Sequence, residues 1–192
     1  MSAWIEMVPV EAAEGPLRAM YERVRTPHGT VDNVMRAHSL RPHTMEGHVV
    51  LYRSVLHHPG NTLPLWFLET VASYTSALNR CAYSYAHHAT NMKRLIGDPV
   101  RAREVEAALQ ADRPEDAFAA KELALLRYTR ALTVEVAAIA RPAFDACVAA
   151  GASHGEILEV NQVCAYFNYS NRLLNGLGVT TEGDTLGFYD EG

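Results

Sequence analysis

Apolar residues recur at three- and four-residue spacing along most of this chain, the period of helices that bury one face. In residues 42–57, for example, the apolar positions are Met45, Val49, Tyr52, Val55 and Leu56. No segment shows the strict alternation of a half-buried β-strand. The pattern therefore predicts an all-α protein.

Prolines, glycines and capping residues predict where these helices begin and end. Proline is favoured in the first turn and glycine just after the last, and Ser153-x-x-Glu156 has the form of a capping box. We expect Asn79 to close the fourth helix in the left-handed conformation, which asparagine tolerates. The predicted helices cover residues 15–24, 32–39, 42–57, 63–78, 81–96, 99–110, 112–132, 141–150 and 153–175.

Composition narrows the class of protein. At 192 residues, with 48% apolar and 20% charged residues, the chain is expected to form one domain over residues 1–192. A net charge of −5 without a basic cluster argues against nucleic-acid binding. No apolar stretch approaches the length of a membrane span, no secretory signal is visible, and three widely spaced cysteines suit a reducing compartment. A cytoplasmic location is the resulting expectation.

The stretch from Glu69 to His88 concentrates the groups that can do chemistry, since it also holds the thiol of Cys81, the hydroxyl of Ser84 and a second imidazole, His87. At about 100° per residue, Cys81 lies roughly 60° from Ser84 and roughly 20° from His88 on a helix. One helix face is therefore expected to carry Cys81, Ser84 and His88, while His87 points elsewhere.

The place of Cys81 in the first turn of a predicted helix favours its ionised form. The unpaired N–H groups and the positive end of the helix dipole stabilise a thiolate there. A hairpin of two helices brings Glu69 back toward this turn, where its carboxylate can hold His88, and His88 can accept the thiol proton. The residues thus predict an activated-cysteine site of redox type, with one thiol and not two.

Three segments resemble one protein family. They are residues 79–88 (Asn-Arg-Cys-Ala-Tyr-Ser-Tyr-Ala-His-His), residues 31–34 (Val-Asp-Asn-Val), and residues 165–172 (Ala-Tyr-Phe-Asn-Tyr-Ser-Asn-Arg) followed by Leu177-Gly178-Val179. The chain resembles the peroxidase-related enzymes of the alkylhydroperoxidase D-like branch of the carboxymuconolactone decarboxylase superfamily, whose active-site pattern is Glu-x11-Cys-x-x-Cys-x-x-x-His. The resemblance spans nearly the whole chain and implies a compact helical bundle of that type.

The resemblance places Glu69, Cys81 and His88 at the catalytic positions of the family, but Ser84 replaces the second cysteine. Serine cannot close the disulfide of a dithiol cycle. Three interpretations stay open: a one-cysteine peroxidase resolved by an external thiol, a member with other chemistry, or an altered dithiol enzyme. Cys147 and Cys164 have the apolar neighbours of buried cysteines, and Cys164 can resolve Cys81 only if the fold brings them together.

The function that the resemblance implies is a peroxidase-related oxidoreductase that reduces hydroperoxides. Cys81 attacks the peroxide oxygen, His88 accepts the thiol proton, Glu69 orients the imidazole and Ser84 donates a hydrogen bond to the thiolate. The family also implies a homo-oligomer built from dimers, up to a hexamer, and no cofactor. Two alternatives remain: a decarboxylase-like acid/base enzyme acting on a small lactone or carboxylic acid, and a non-catalytic ligand-binding oligomer. His57 and His58 point to different faces of a helix, so no metal site is predicted.

Overall fold

The structure, a computed structural model, describes residues 2–187. Within this range the secondary structure is helical and contains no β-strand, which confirms the all-α prediction. The α-helices are α1 (Gly15–Arg23), α2 (Asn33–Arg36), α3 (Pro42–Leu56), α4 (Leu65–Leu78), α5 (Ala82–Ile96), α6 (Pro99–Gln110), α7 (Ala120–Val134), α8 (Arg141–Ala149) and α9 (His154–Leu177). No helix in this part of the chain is both long and apolar enough to cross a lipid bilayer.

Helix α4 is the centre of the bundle and packs against α5, α7 and α9. Its residues 67–76 are all buried, so the helix has no solvent-facing side. Four of these buried residues are serine or threonine, and each donates a hydrogen bond to the carbonyl four residues earlier in the chain: Thr70, Ser73, Thr75 and Ser76. This pairing lets polar side chains occupy the core without unpaired donors.

The turn between α4 and α5 corrects one prediction. Asn79 is right-handed, with φ −78°, and Arg80 takes the left-handed conformation, with φ 52°. The Arg80 amide donates to the Ala77 carbonyl and the Cys81 amide to the Ser76 carbonyl, the pattern of a Schellman motif. In that motif the left-handed residue is the one after the C-cap, and helix α4 ends with Asn79 as its C-cap. Cys81 therefore becomes the N-cap of α5.

The helix predicted over residues 112–132 is also corrected, because α7 begins only at Ala120. Pro114 starts a single 3₁₀ turn, Pro114–Asp116, and Ala119 is extended with φ −138°. Between them Phe118 is buried against Phe67, with ring centroids 6.3 Å apart. Burying this ring requires the chain to leave the helical path.

The other helix ends agree with the sequence prediction to within three residues. Ser153 and Glu156 form the expected capping box. Gly97 and Gly178 take left-handed C-cap conformations, with φ 70° and 61°.

The segment after α9 returns across the N-terminal half of the chain. The Asn33 side-chain amide donates to the carbonyls of Thr180 and Glu182, and the Asn33 backbone amide donates to the Asp184 carboxylate. Tyr83 on α5 donates to the same carboxylate. These bonds fix residues 180–187 beside α2 and α5, where they contribute to the wall of a cavity.

Candidate active site

Glu69 and His88 meet across the α4–α5 hairpin, as the sequence predicts. His88 Nδ1 lies 2.7 Å from Glu69 Oε2, and the Asn91 side-chain amide donates to Glu69 Oε1 at 3.1 Å. Glu69 is fully buried. A buried carboxylate is costly unless it is paired and hydrogen-bonded, and here both of its oxygens have a partner.

His88 presents its other ring nitrogen to a cavity. The edge-to-face contact with Phe167, at 4.5 Å between ring centroids, and the Glu69 bond hold the imidazole in place. Among the described residues the only hydrogen-bond partner of the His88 ring is Glu69, at Nδ1, and His88 lines the cavity wall. With Glu69 ionised, Nδ1 carries the proton that it donates to the carboxylate, which leaves the lone pair of Nε2 free to accept a proton.

The cavity has a volume of about 380 Å³, which is large enough for a small organic molecule. Most of the exposed area of its wall is apolar, but many polar and ionisable side chains also line it. The residues that line it include Tyr52, Tyr166, Ser84, His48, His87, His88, Asp32 and Arg53.

Ser84 lies at this wall, four residues before His88. Its hydroxyl is 2.9 Å from the hydroxyl of Ser76, which also lies 3.4 Å from the Asn171 amide nitrogen. Ser84 thus joins a buried hydrogen-bond chain between α4, α5 and α9. At this position the resemblance leads one to expect a second cysteine. In this chain the position is occupied by Ser84, whose hydroxyl group lies at the cavity.

Cys81 occupies a different environment. Its side chain is 1% exposed and belongs to an apolar cluster with Ala3, Ala37, Leu174 and Val179, and it is not part of the cavity wall. Burial raises the pKa of the Cys81 thiol, although the backbone amides of Ser84 and Tyr83 act in the opposite direction. The helix-start effect expected from the sequence is therefore present, but desolvation of the thiolate outweighs it.

The two other thiols lie elsewhere in the core. Cys164 is buried with its sulfur 3.3 Å from the Thr133 hydroxyl, and Cys147 contacts the Ala124 carbonyl. Neither belongs to the cluster that holds Cys81. The structure therefore brings Glu69, His88 and Ser84 together at one site but keeps the sulfur of Cys81 in a different part of the core from those of Cys147 and Cys164.

Comparison with solved structures identifies the fold. An uncharacterized peroxidase-related protein from Ralstonia eutropha JMP134, described as an alkylhydroperoxidase AhpD core, has a TM-score of 0.82 and 18% identity over 96% of this chain and 94% of its own. A peroxidase-related protein from Silicibacter sp. TM1040 has a TM-score of 0.77 and 19% identity, with 95% and 93% of the two chains covered. The chain has the alkylhydroperoxidase D-like fold.

A third neighbour with the alkylhydroperoxidase D-like fold carries a different activity in its name. The debrominase Bmp8, solved as a cysteine-to-alanine variant with 2,3,4-tribromopyrrole, has a TM-score of 0.69 and 16% identity over 92% of this chain and 90% of its own. No family model and no curated protein matches the sequence. These comparisons confirm the predicted fold, while the catalytic roles of Cys81, His88, Glu69 and Ser84 stay predictions.

Sequence reasoning missed two polar pairs, one in the cavity wall and one with a single member, Asp32, in that wall. His48 Nε2 lies 2.8 Å from the Tyr166 hydroxyl, and Asp32 lies near Asp184. The partners are 118 and 152 residues apart in sequence, so no local spacing indicates either pair. Within residues 2–187, no group of three or more His, Cys, Asp or Glu side chains is arranged to hold a metal ion.

We expect Ellman's reagent to label the three native cysteines at least about 10²-fold more slowly than the unfolded chain, because each sulfur must wait for a local or global opening. Cys81, Cys147 and Cys164 are all buried and free. A Ser54→Cys variant on the exposed surface of α3 is the control, and its added thiol should react at once. Fast labelling of the native chain that disappears in Cys81→Ser would contradict the burial of Cys81.

Proposed function

We propose that this chain is an enzyme that moves protons on a small, largely apolar organic molecule held in the cavity. His88 is the general base, and Glu69 is its charge partner. One observation carries the proposal: a fully buried carboxylate holds Nδ1 of His88 at 2.7 Å, while the other ring nitrogen is left to the cavity. When Nε2 accepts a proton, Glu69 stabilises the imidazolium that forms.

The cavity also supports a class of substrate. The Arg53 side chain lines it, and among the described residues the guanidinium group has no hydrogen-bond or ion-pair partner. A guanidinium group pairs favourably with a carboxylate, and the aromatic wall suits an apolar body. A small carboxylic acid or its lactone, isomerised or decarboxylated by acid/base steps, fits these features.

Proton transfer at carbon can be tested before the substrate is known. The wild-type protein is incubated in D₂O with a panel of small keto acids and lactones, and NMR follows replacement of carbon-bound hydrogen by deuterium. At least one compound should exchange faster than in buffer, and the exchange should disappear in His88→Gln. Binding of these compounds without exchange would contradict the proposal and favour a non-catalytic ligand-binding protein.

Thiol peroxidase chemistry is the second candidate. It is favoured by the place of Cys81 at the start of α5, with the Tyr83 and Ser84 amides directed at its sulfur, and by the peroxidase-related names of the first two structural neighbours. The Cys81 thiolate displaces an alkoxide from a hydroperoxide and becomes a sulfenic acid, and the alkoxide takes up a proton. An external thiol then condenses with the sulfenic acid, which releases water and forms a mixed disulfide, and a second thiol restores Cys81.

The mass of the intact protein separates the two candidates. After one equivalent of cumene hydroperoxide, the second candidate expects a gain of one oxygen atom at Cys81, or a thiol adduct when glutathione is present. An unmodified Cys81 would exclude it. Retained proton exchange in Cys81→Ser would in addition show that the sulfur is not needed for acid/base turnover. Assembly into a homo-oligomer stays a prediction under either candidate.

A further inference from the structure

The carboxyl group of Asp32, which lines the cavity, and that of Asp184, which lies near it, have different surroundings. Asp184 accepts hydrogen bonds from the Asn33 backbone amide, with both oxygens at 3.1 Å, and from the Tyr83 hydroxyl at 2.6 Å. His87 Nε2 lies 3.6 Å from the same carboxylate, whose side chain is only 3% exposed. These donors stabilise negative charge on Asp184.

Asp32 receives none of this support. It stands at the N-cap of α2, yet its side chain caps no amide: the Val34 amide donates to the Tyr83 hydroxyl, and the Met35 amide donates to the Asp32 backbone carbonyl. No hydrogen bond from the described part of the chain reaches the Asp32 carboxyl, and its Oδ1 is sealed from solvent. Asp32 nevertheless lines the cavity together with His88. A carboxyl group that forms no hydrogen bond within the protein and lines a cavity is available to bind a ligand.

The charged groups around Asp32 come from three parts of the chain. Tyr83 and His87 lie on α5, Asp184 lies on the C-terminal segment, and His28 lies in the loop before α2. The pKa of Asp32 is raised to about 6: burial is the largest cause and Asp184 adds to it, while His87 and His28 act in the opposite direction. A carboxyl group whose acid form is favoured in this way can donate a proton near neutral pH.

We infer that Asp32 is the proton donor of the proposed reaction, and that the substrate is an enolisable carbonyl compound. The inference rests on the proposed function, because it supplies the acid that complements the base His88. Asp32 counts as a catalytic residue in this scheme, since it lines the cavity and would touch the substrate oxygen.

In the proposed enolisation, one proton is removed from the substrate and one is added to it. His88 Nε2 removes a proton from the carbon next to the carbonyl group, and the Asp32 carboxylic acid gives its proton to the carbonyl oxygen, so the substrate becomes a neutral enol. The electron pair of the broken C–H bond forms the C=C bond, and the carbonyl π pair forms the new O–H bond. In the reverse step the His88 imidazolium returns a proton to the same carbon and Asp32 takes back the hydroxyl proton, which exchanges the α-hydrogen with solvent and restores both residues. In a β,γ-unsaturated substrate the enol is conjugated with the C=C bond, so the proton can add to the γ-carbon instead and the double bond moves, which is an isomerisation.

The test measures deuterium exchange at the α-carbon of 2-oxobutyrate and of γ-butyrolactone from pH 5 to pH 8. The wild-type rate should fall as the pH rises through about 6, because the acid form of Asp32 is lost. Asp32→Asn should lower the rate at pH 5 by about 10²-fold and remove that limb of the profile. Asp145→Asn, at an exposed position on α8, is the matched control and should behave as the wild type does.

Each outcome decides between the two proposals. Exchange that is lost in His88→Gln but is unchanged in Asp32→Asn at every pH overturns the role of Asp32 and leaves the proposed function standing. No exchange by the wild type with either probe overturns both. Infrared spectra offer a readout that is independent of turnover: at pH 5 the wild type should show a protonated-carboxyl band that is missing in Asp32→Asn, and absence of that difference also overturns the inference.

Discussion

Replacing His88 with glutamine is expected to lower kcat by about 10²- to 10⁴-fold for any compound that undergoes enzymatic proton exchange. Glutamine keeps a polar side chain of similar reach but has no lone pair basic enough to accept a proton from carbon. It can still donate a hydrogen bond to Glu69, which keeps that buried carboxylate paired. The loss should therefore fall on turnover and leave the thermal unfolding temperature close to that of the wild type.

Glu69→Gln and His58→Gln complete this experiment. The amide of Glu69→Gln cannot balance the charge of an imidazolium, so kcat should fall by about 10²-fold while substrate binding persists. His58 is exposed in the loop after α3, and His58→Gln should leave kcat unchanged. Wild-type turnover in His88→Gln would remove His88 from the mechanism.

Acidification from pH 6.5 toward pH 3 is expected to destabilise the fold by about 5 kcal/mol through His48 alone. Burial lowers the pKa of His48 to about 3, and the nearby His38 adds to this effect. Between these pH values the unfolded chain binds a proton at this position and the folded chain does not. The contribution is therefore fully present above pH 6.5 and is lost progressively as the pH falls.

Urea unfolding at pH 7.5 and pH 4.5 measures this effect. The wild type should lose unfolding free energy between pH 7.5 and pH 4.5. His48→Gln lacks the titrating group, so its loss should be smaller by about 3 kcal/mol. His43→Gln, at an exposed position on the same helix, should show the wild-type loss. Asp32 contributes with the opposite sign, since its raised pKa favours the folded state below pH 6, but it is common to all three proteins. An equal loss in His48→Gln and the wild type would show that His48 is not buried in its neutral form.

The meeting of Glu69 and His88 could be predicted from sequence because both lie on helices joined by a short turn. The surroundings of Cys81 could not. A helical wheel places Cys81 on the face of His88, but Cys81 is an N-cap with ψ 93° and does not follow the helical rotation. The residues that cover its sulfur, Ala3 and Ala37 among them, come from the N-terminal segments, and no local pattern indicates that contact.

In the other helices, too, the features that depend on nearby residues could be predicted from sequence, and those that depend on the packing of distant segments could not. Capping boxes, prolines and glycines act over a few residues, so the limits of α5, α6 and α9 follow from them. The start of α7 depends instead on where Phe118 finds space in the core, a property of the assembled bundle. Likewise Tyr166 and His48 line one cavity only because α3 packs against α9.

The contact between Asn33 and Asp184 also bears on how the protein is made. The ribosome releases Asn33 about 150 residues before Asp184, and until then the amide at the start of α2 has no carboxylate to meet. While the N-terminal half of a nascent chain is already outside the exit tunnel, the cavity therefore lacks the part of its wall that the C-terminal segment supplies. Completion of the cavity wall therefore waits for the synthesis of residues 180–187, and the incomplete pocket is open to chaperones and proteases in that interval.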